Sequence, residues 1–234
     1  MTFANSGYTQ GNLQFHPRYG LFPVIGNQQE RKMEMNQHSI EVAVKELVQR
    51  ACQLGASDAK AISASDISVD DDLAKLCQER RCEYYGLSVN CPPNVAGPSG
   101  FRELLKNYKQ ALVFSINTPT EMLLSDNRHQ LFRQLHEIAA GIEQSAIEMG
   151  YHNSKAYAGG SCKPLFCQDH TSCRVLTEGG ECRYPQNARP SMSGFGINVS
   201  KLMQTAGWAM HRIVKDTDPD AVSMGMLSGL VLVA

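Results

Sequence analysis

Residues 161–192 read SCKPLFCQDHTSCRVLTEGGECRYPQNARPSM, and the rest of the chain is organised around them. Four of the eight cysteines fall here, Cys162, Cys167, Cys173 and Cys182, spaced C-x4-C-x5-C-x8-C. The stretch holds few of the long aliphatic residues that build a core, so burial alone cannot order it. Thiolates converging on a metal are the simplest substitute, because metal binding then supplies folding free energy. A second group lies upstream in CQERRCEYYGLSVNCPP, at Cys77, Cys82 and Cys91, with gaps of x4 and x8. Proline follows Cys91 twice, which stiffens the exit and matches the Cys-Pro ending of many ferredoxin motifs.

Working outward, the flanking sequence reads as scaffold. From Ser39, a candidate N-cap, Val42, Val44, Leu47, Val48 and Ala51 follow helical spacing up to Gly55. AKAISASDI alternates like a strand, FRELLKNYKQ reads as a short helix and ALVFSIN as a buried strand. A long helix runs from Ser125 to about Gly150 with an apolar stripe of Leu131, Leu135, Ile138, Ile142, Ala146 and Met149. KAYAGG is a third strand, and NVSKLMQTAG a helix closed by Gly207. WAMHRIV and SMGMLSGLVLVA read as two closing strands joined by DTDPDA. The order α-β-[Cys]-α-β-α-β-[Cys]-α-β-β gives an α/β fold, with α+β as the alternative. It predicts a single mixed sheet of about five strands covered by helices, with both cysteine-rich loops following strands. Residues 1–35 are polar, rich in Gly, Asn and Gln, and lack periodicity. They are expected to be a disordered N-terminal extension, with residues 36–234 a single metal-binding domain.

Composition narrows the functions. The 234 residues carry 22 basic and 23 acidic side chains, so nothing electrostatic favours nucleic acid or an anionic membrane. The longest apolar run, GLVLVA, is too short to cross a bilayer, and no secretory segment is visible. The expected location is the cytoplasm, where eight cysteines read as metal ligands or redox groups rather than disulfides. No nucleophile elbow, P-loop or dinucleotide fingerprint occurs.

Thiolates suit zinc, iron–sulfur clusters and Cu(I). Structural zinc sites commonly use C-x2-C pairs, which are absent, whereas the wider gaps suit a larger 4Fe–4S cluster, one or two of them. Zinc is the alternative, and His170 in CQDHTSC is the residue that favours it. Gly86, Gly159 and Gly160 would let backbone amides approach cluster sulfides. Arg189, with Arg80, Arg81, Arg174 and Arg183, could offset cluster charge, although any single one of them reads more readily as part of a solvated loop face. Cys52 lies on the first helix and reads as a small packed residue outside the site. The first group has only three obvious thiols. Its fourth position is either open or filled by Cys52, Glu83 or Asp72.

GLSVNCPPNVAGPSGFRELLKNYKQALVF and GGECRYPQNARPSMSGFGINV resemble a family of prokaryotic proteins of unknown function labelled predicted metal-binding proteins. The similarity runs from about Glu41 to Val233. Its signatures are Cys-Pro-Pro at Cys91 and Cys182-Arg-Tyr-Pro followed by Ala188-Arg189-Pro190-Ser191-Met192. The resemblance implies metal binding and leaves the reaction open. Three functions are therefore carried forward. The first is an iron–sulfur protein of electron transfer or redox chemistry, acting with a redox partner protein. The second is an enzyme whose three-cysteine cubane meets a small-molecule substrate at an open iron. The third is a zinc-stabilised adaptor without catalysis.

Overall fold

The computed structural model describes residues 13–16, 20–23, 28–79 and 82–234, with side chains from residue 39 onward except residue 79. The chain divides into two units at Ser39 and Ile40. In the first, β1 (Leu13–His16) and β2 (Gly20–Pro23) pair as an antiparallel hairpin, and α1 (Gln28–Gln53) begins well before Ser39. The remaining residues of the expected N-terminal extension, 1–12, 17–19 and 24–27, lie outside the described residues.

The second unit is built on a strand that is apolar on both faces. In β4 (Gln110–Pro119), Leu112, Phe114 and Ile116 point to one side, and Ala111 and Val113 to the other. Both sets are buried, so this strand needs cover above and below, unlike one that alternates apolar with polar. β4 sits between β3 (Asp58–Ser63) and β6 (Met224–Val233), and β5 (Lys155–Tyr157) closes the far side of β6. All three pairings are antiparallel.

One face of the sheet is covered by α5 (Arg128–Glu148), through Leu135, Ile138, Ile142 and Ala146, and by Val44, Leu47 and Ala51 of α1. Of the stripe read from the sequence these four α5 residues are buried, and Leu131 and Met149 are partly so. The other face is covered by Phe101 of α3 (Gly97–Leu105), by Met192 and Phe195 of a 3-10 turn (Met192–Phe195), and by Leu202 and Met203 of α8 (Val199–Thr205). Tyr157 packs edge to face on Phe101 and on Phe195, with centroids 5.1 Å apart in each pair, and Phe101 and Phe195 meet tilted at 5.5 Å. The shorter elements are α2 (Asp71–Glu79), α4 (Thr120–Leu124), α6 (Cys162–Phe166) and α7 (Arg174–Glu178). Among the described residues no helix is long and apolar enough to cross a membrane.

The architecture is the α/β single sheet expected, with two differences of detail. The sheet has four antiparallel strands, because WAMHRIV (208–214) is not a strand: Ala209, His211, Arg212 and Val214 are exposed, and Trp208 Nε1 instead donates to Asp58 Oδ2 at 2.8 Å. The first cysteine group begins on a helix, α2, rather than after a strand; the second does follow β5.

Gly229 lies opposite Phe114 in the β4–β6 register. A Cβ at Gly229 would stand 2.4 Å from Phe114 Cζ. Gly229→Ala is therefore expected to lower stability by about 1–3 kcal/mol through overpacking, read as a lower urea midpoint. Unchanged stability would mean that Phe114 has room to move.

Candidate metal centres

The second cysteine group is hung from the end of β5. Ala158 donates its N–H to Pro190 O and accepts from Met192 N, both at 2.9 Å, which pins the last part of the cysteine stretch to the strand exit. Ser161 Oγ accepts from Lys163 N at 3.3 Å and starts α6, placing Cys162 buried on its first turn. Cys173 precedes α7, which Gly179 ends in the left-handed conformation at φ 64°. Cys162, Cys167, Cys173 and Cys182 all line one small cavity of about 20 Å³, together with Ser88, Asn90, Arg183 and Tyr184. Leu165 and Phe166 pack behind it against Phe132, Tyr184 and Ala188.

The first group forms around the end of α2. Cys77 is half-buried on that helix, and Cys82 donates its N–H to Cys77 O at 3.1 Å and is exposed. Cys91 is buried. All three line a second, larger cavity of about 910 Å³, as do Glu83 and Gly160. Of the other candidates, Asp72 is exposed and paired with Lys75 at 2.7 Å, away from this cavity. Cys52 is exposed on α1 and lines neither cavity, so it is neither a packed core residue nor placed with the thiols. His170 also lines neither; its carbonyl accepts from Lys163 Nζ. Gly86, at φ 77°, gives its N–H to Pro92 O at 2.8 Å. Arg80 and Arg81 lie outside the described residues.

The two groups are interlocked. Cys91 Sγ donates to Ser161 Oγ at 3.3 Å, so the second loop supplies a partner to a thiol of the first. In return Ser88 Oγ lies 3.0 Å from Cys162 Sγ, and Asn90 Nδ2 donates to the same sulfur at 3.5 Å. Tyr184 N donates to Cys182 Sγ at 3.4 Å. Burial pushes the Cys91 thiol up to about 11, against a smaller lowering by the Ser161 bond, with nearby Cys162, Cys82 and Cys77 adding to the rise. Burial raises Cys162 as well, opposed by its bonds to Ser88 and Asn90. Cys77 and Cys167 are also raised, chiefly by burial. All eight cysteines are free of disulfides.

A second set of contacts holds this arrangement to the helical layer. His136, fully buried on α5, accepts from Arg189 N at Nδ1 (3.1 Å), so its Nε2–H is left to donate to Gly159 O (3.2 Å). Arg189 Nη2 pairs with Glu143 Oε2 at 2.7 Å, and Nη1 donates to Pro185 O and Ala188 O, each at 3.0 Å. Glu143 Oε1 accepts from Ala156 N of β5 at 2.6 Å. The Arg189 guanidinium is thus largely taken up by protein groups, with Nε buried and unpartnered. His136, Glu143, Ser88, Asn90 and Ser161 were not singled out from the sequence. A histidine next to Leu135 within an apolar helical stripe is the one signal that could have drawn attention.

Among the described residues no three His, Cys, Asp or Glu side chains converge closely enough to hold a single ion as they stand. A family described as "Predicted metal-binding protein (DUF2284)" matches residues 60–233. The chain belongs to that family. The DUF2284 match begins within β3 and ends at the last residue of β6, so it takes in all seven cysteines that line the cavities and leaves out Cys52. No curated protein and no solved structure matches the chain. Membership therefore establishes a cysteine-rich family expected to bind metal, without a reaction.

Burial drives His136 down to about 4 from an ordinary 6.5, helped by the nearby Arg189 charge and opposed by the Gly159 bond. The unfolded chain takes up a proton below about 6.5 where the folded one does not. This contribution to stability is therefore full above pH 6.5 and is lost as pH falls towards 4. The expected loss is on the order of 3 kcal/mol, measured as the urea midpoint across that window. The His136→Gln variant should lack this part of the slope; an identical slope in both would place the effect elsewhere.

Proposed function

We propose that Cys162, Cys167, Cys173 and Cys182 hold one 4Fe–4S cluster and Cys77, Cys82 and Cys91 a second, in a protein of electron transfer or cluster-based redox chemistry. The carrying observation is that the two thiol groups line two cavities joined by hydrogen bonds from each loop to the other group's sulfur. The donor set fits such a group: seven free thiols, with hydroxyl, amide and backbone donors already beside the sulfurs. A bound cluster supplies one-electron storage and, at an iron without a protein thiolate, a Lewis-acid position.

The chain's own residues then have defined tasks. Ser88 and Asn90 beside Cys162, and the Tyr184 N–H beside Cys182, stabilise negative charge on those sulfurs, which makes reduction easier. The Ser161 hydroxyl accepts from the Cys91 thiol and can turn to donate once that thiol is ionised. Because Cys162 is the next residue, the route between the two sulfur sets crosses one hydrogen bond and one peptide link. The raised Cys91 and Cys162 thiols are protonated at neutral pH, so metal uptake releases protons and is favoured as pH rises.

One observation favours zinc at the second group. Its cavity of about 20 Å³ is close to the space of a single water. A lone ion fits that volume once the thiols draw together around it, whereas a cubane requires the 161–192 loop to spread.

Anaerobic purification followed by iron, zinc and acid-labile sulfide analysis separates the two. The cluster reading expects iron with matching sulfide and a broad visible absorption that bleaches on reduction. Zinc without sulfide overturns it in favour of the zinc-stabilised adaptor. Cys182→Ser is expected to remove the metal of the second group and about half of the total; full metal content in that variant would show that Cys182 is not a ligand.

The metal-binding domain is proposed to stand without residues 1–35. Their removal should leave metal content and thermal midpoint unchanged, and a marked loss of either would make the N-terminal segment part of the domain.

A further inference from the structure

The large cavity at the first cysteine group has more wall than three thiols require. Its volume of about 910 Å³ lies in the range of pockets that enclose small molecules, roughly 300–1,000 Å³. Its wall divides by chemistry. Leu123, Phe132, Leu165, Ile213 and Leu227 give an apolar side drawn from α4, α5, α6, β6 and the irregular segment before β6. Arg128, His129, His211, Arg212 and Lys215 also line it, against a single carboxylate, Glu83, which is hydrogen-bonded to Tyr84. Among the described residues none of these five side chains forms an ion pair or a side-chain hydrogen bond with an acidic residue.

This arrangement also accounts for WAMHRIV. Met210 to Lys215 mix apolar and basic side chains, pair with no strand, and all line the cavity. Three cations, Arg128, Arg212 and Lys215, against one carboxylate leave the wall with excess positive charge, which lowers the potential energy of an anion placed there.

We propose that this cavity binds an anionic small molecule with an apolar body, its carboxylate or phosphate held by Arg128 and Arg212 and its apolar part against Phe132, Leu165 and Ile213. The bound molecule lies beside the thiols of Cys77, Cys82 and Cys91. The inference rests on the proposed cluster only for what the molecule meets at those sulfurs; the anion-binding wall is independent of it.

The test uses the full-length protein as purified anaerobically, with its iron content measured in the same sample. Binding of 4-phenylbutyrate is compared by calorimetry with its neutral amide and with inorganic phosphate. The carboxylate should bind at least about tenfold more tightly than the amide, and its affinity should fall as salt is raised. Phosphate should bind more weakly than the carboxylate and compete with it. Arg128→Gln/Arg212→Gln should weaken the carboxylate by about tenfold or more while leaving the amide unchanged. Ile213→Ser, in the irregular segment, should weaken both organic probes. Equal binding of acid and amide, no effect of the double arginine variant, or no saturation by the carboxylate at millimolar concentration overturns the proposal. Binding in a sample without metal leaves this inference standing and sinks the cluster; a metal-loaded sample without binding does the reverse.

Discussion

Two contacts between loops far apart in sequence set the geometry on which the candidate centres depend: Cys91 Sγ with Ser161 Oγ, and Ser88 Oγ with Cys162 Sγ. Each ties a buried thiol of one group to a hydroxyl of the other. Buried polar groups need partners, and an unmet one costs about 1–3 kcal/mol. The two loops therefore stabilise each other in a way that neither could alone. A change that moves one set of sulfurs must move the partners of the other, so the two cavities form one polar structure rather than two grafted sites.

That structure needs a rigid support, and the sheet supplies it. β4 is buried on both faces, and the strand exit at Ala158 is stitched to Pro190 and Met192. His136 reaches from the helical layer to both ends of the cysteine stretch, at Gly159 and Arg189. Glu143 joins Arg189 to Ala156. The loop that lacks apolar residues is thus held at its start and finish by satisfied buried polar contacts. Between those ends, Cys167 follows α6, Cys173 precedes α7 and Cys182 lies in an irregular segment, each only partly buried. That middle part gains most from a metal.

Much of this was legible in the sequence because periodicity reports burial directly. The α5 stripe, the doubly buried β4 and the helix closed at Gly207 follow from apolar spacing alone. The partition of the thiols was legible too, since residues close in the chain line the same cavity. The strand expected at 208–214 failed because a short stretch bounded by turns does not say whether it finds a partner strand; here residues 210–214 line a cavity instead. The direction of strand pairing was equally out of reach, being fixed by long-range packing. Arg189 illustrates the limit for sites. Its place beside the cysteines suggested a charge that could offset a cluster, whereas its guanidinium meets Glu143 on a helix far away in sequence. His136 and Ser88 matter for the same reason, through partners that no local spacing encodes.

The claim that metal holds the thiols is tested most directly by comparing two exposed cysteines, Cys52 and Cys82. Solvent reaches both, so burial does not distinguish them, and only Cys82 lines a candidate centre. The protein as purified under anaerobic conditions is treated with an alkylating reagent, and the modified residues are mapped by mass spectrometry before and after the metal is removed with a chelator. The account predicts rapid modification of Cys52 and protection of Cys82 that is lost with the metal. Modification of Cys82 as fast as Cys52 in the untreated protein would contradict it.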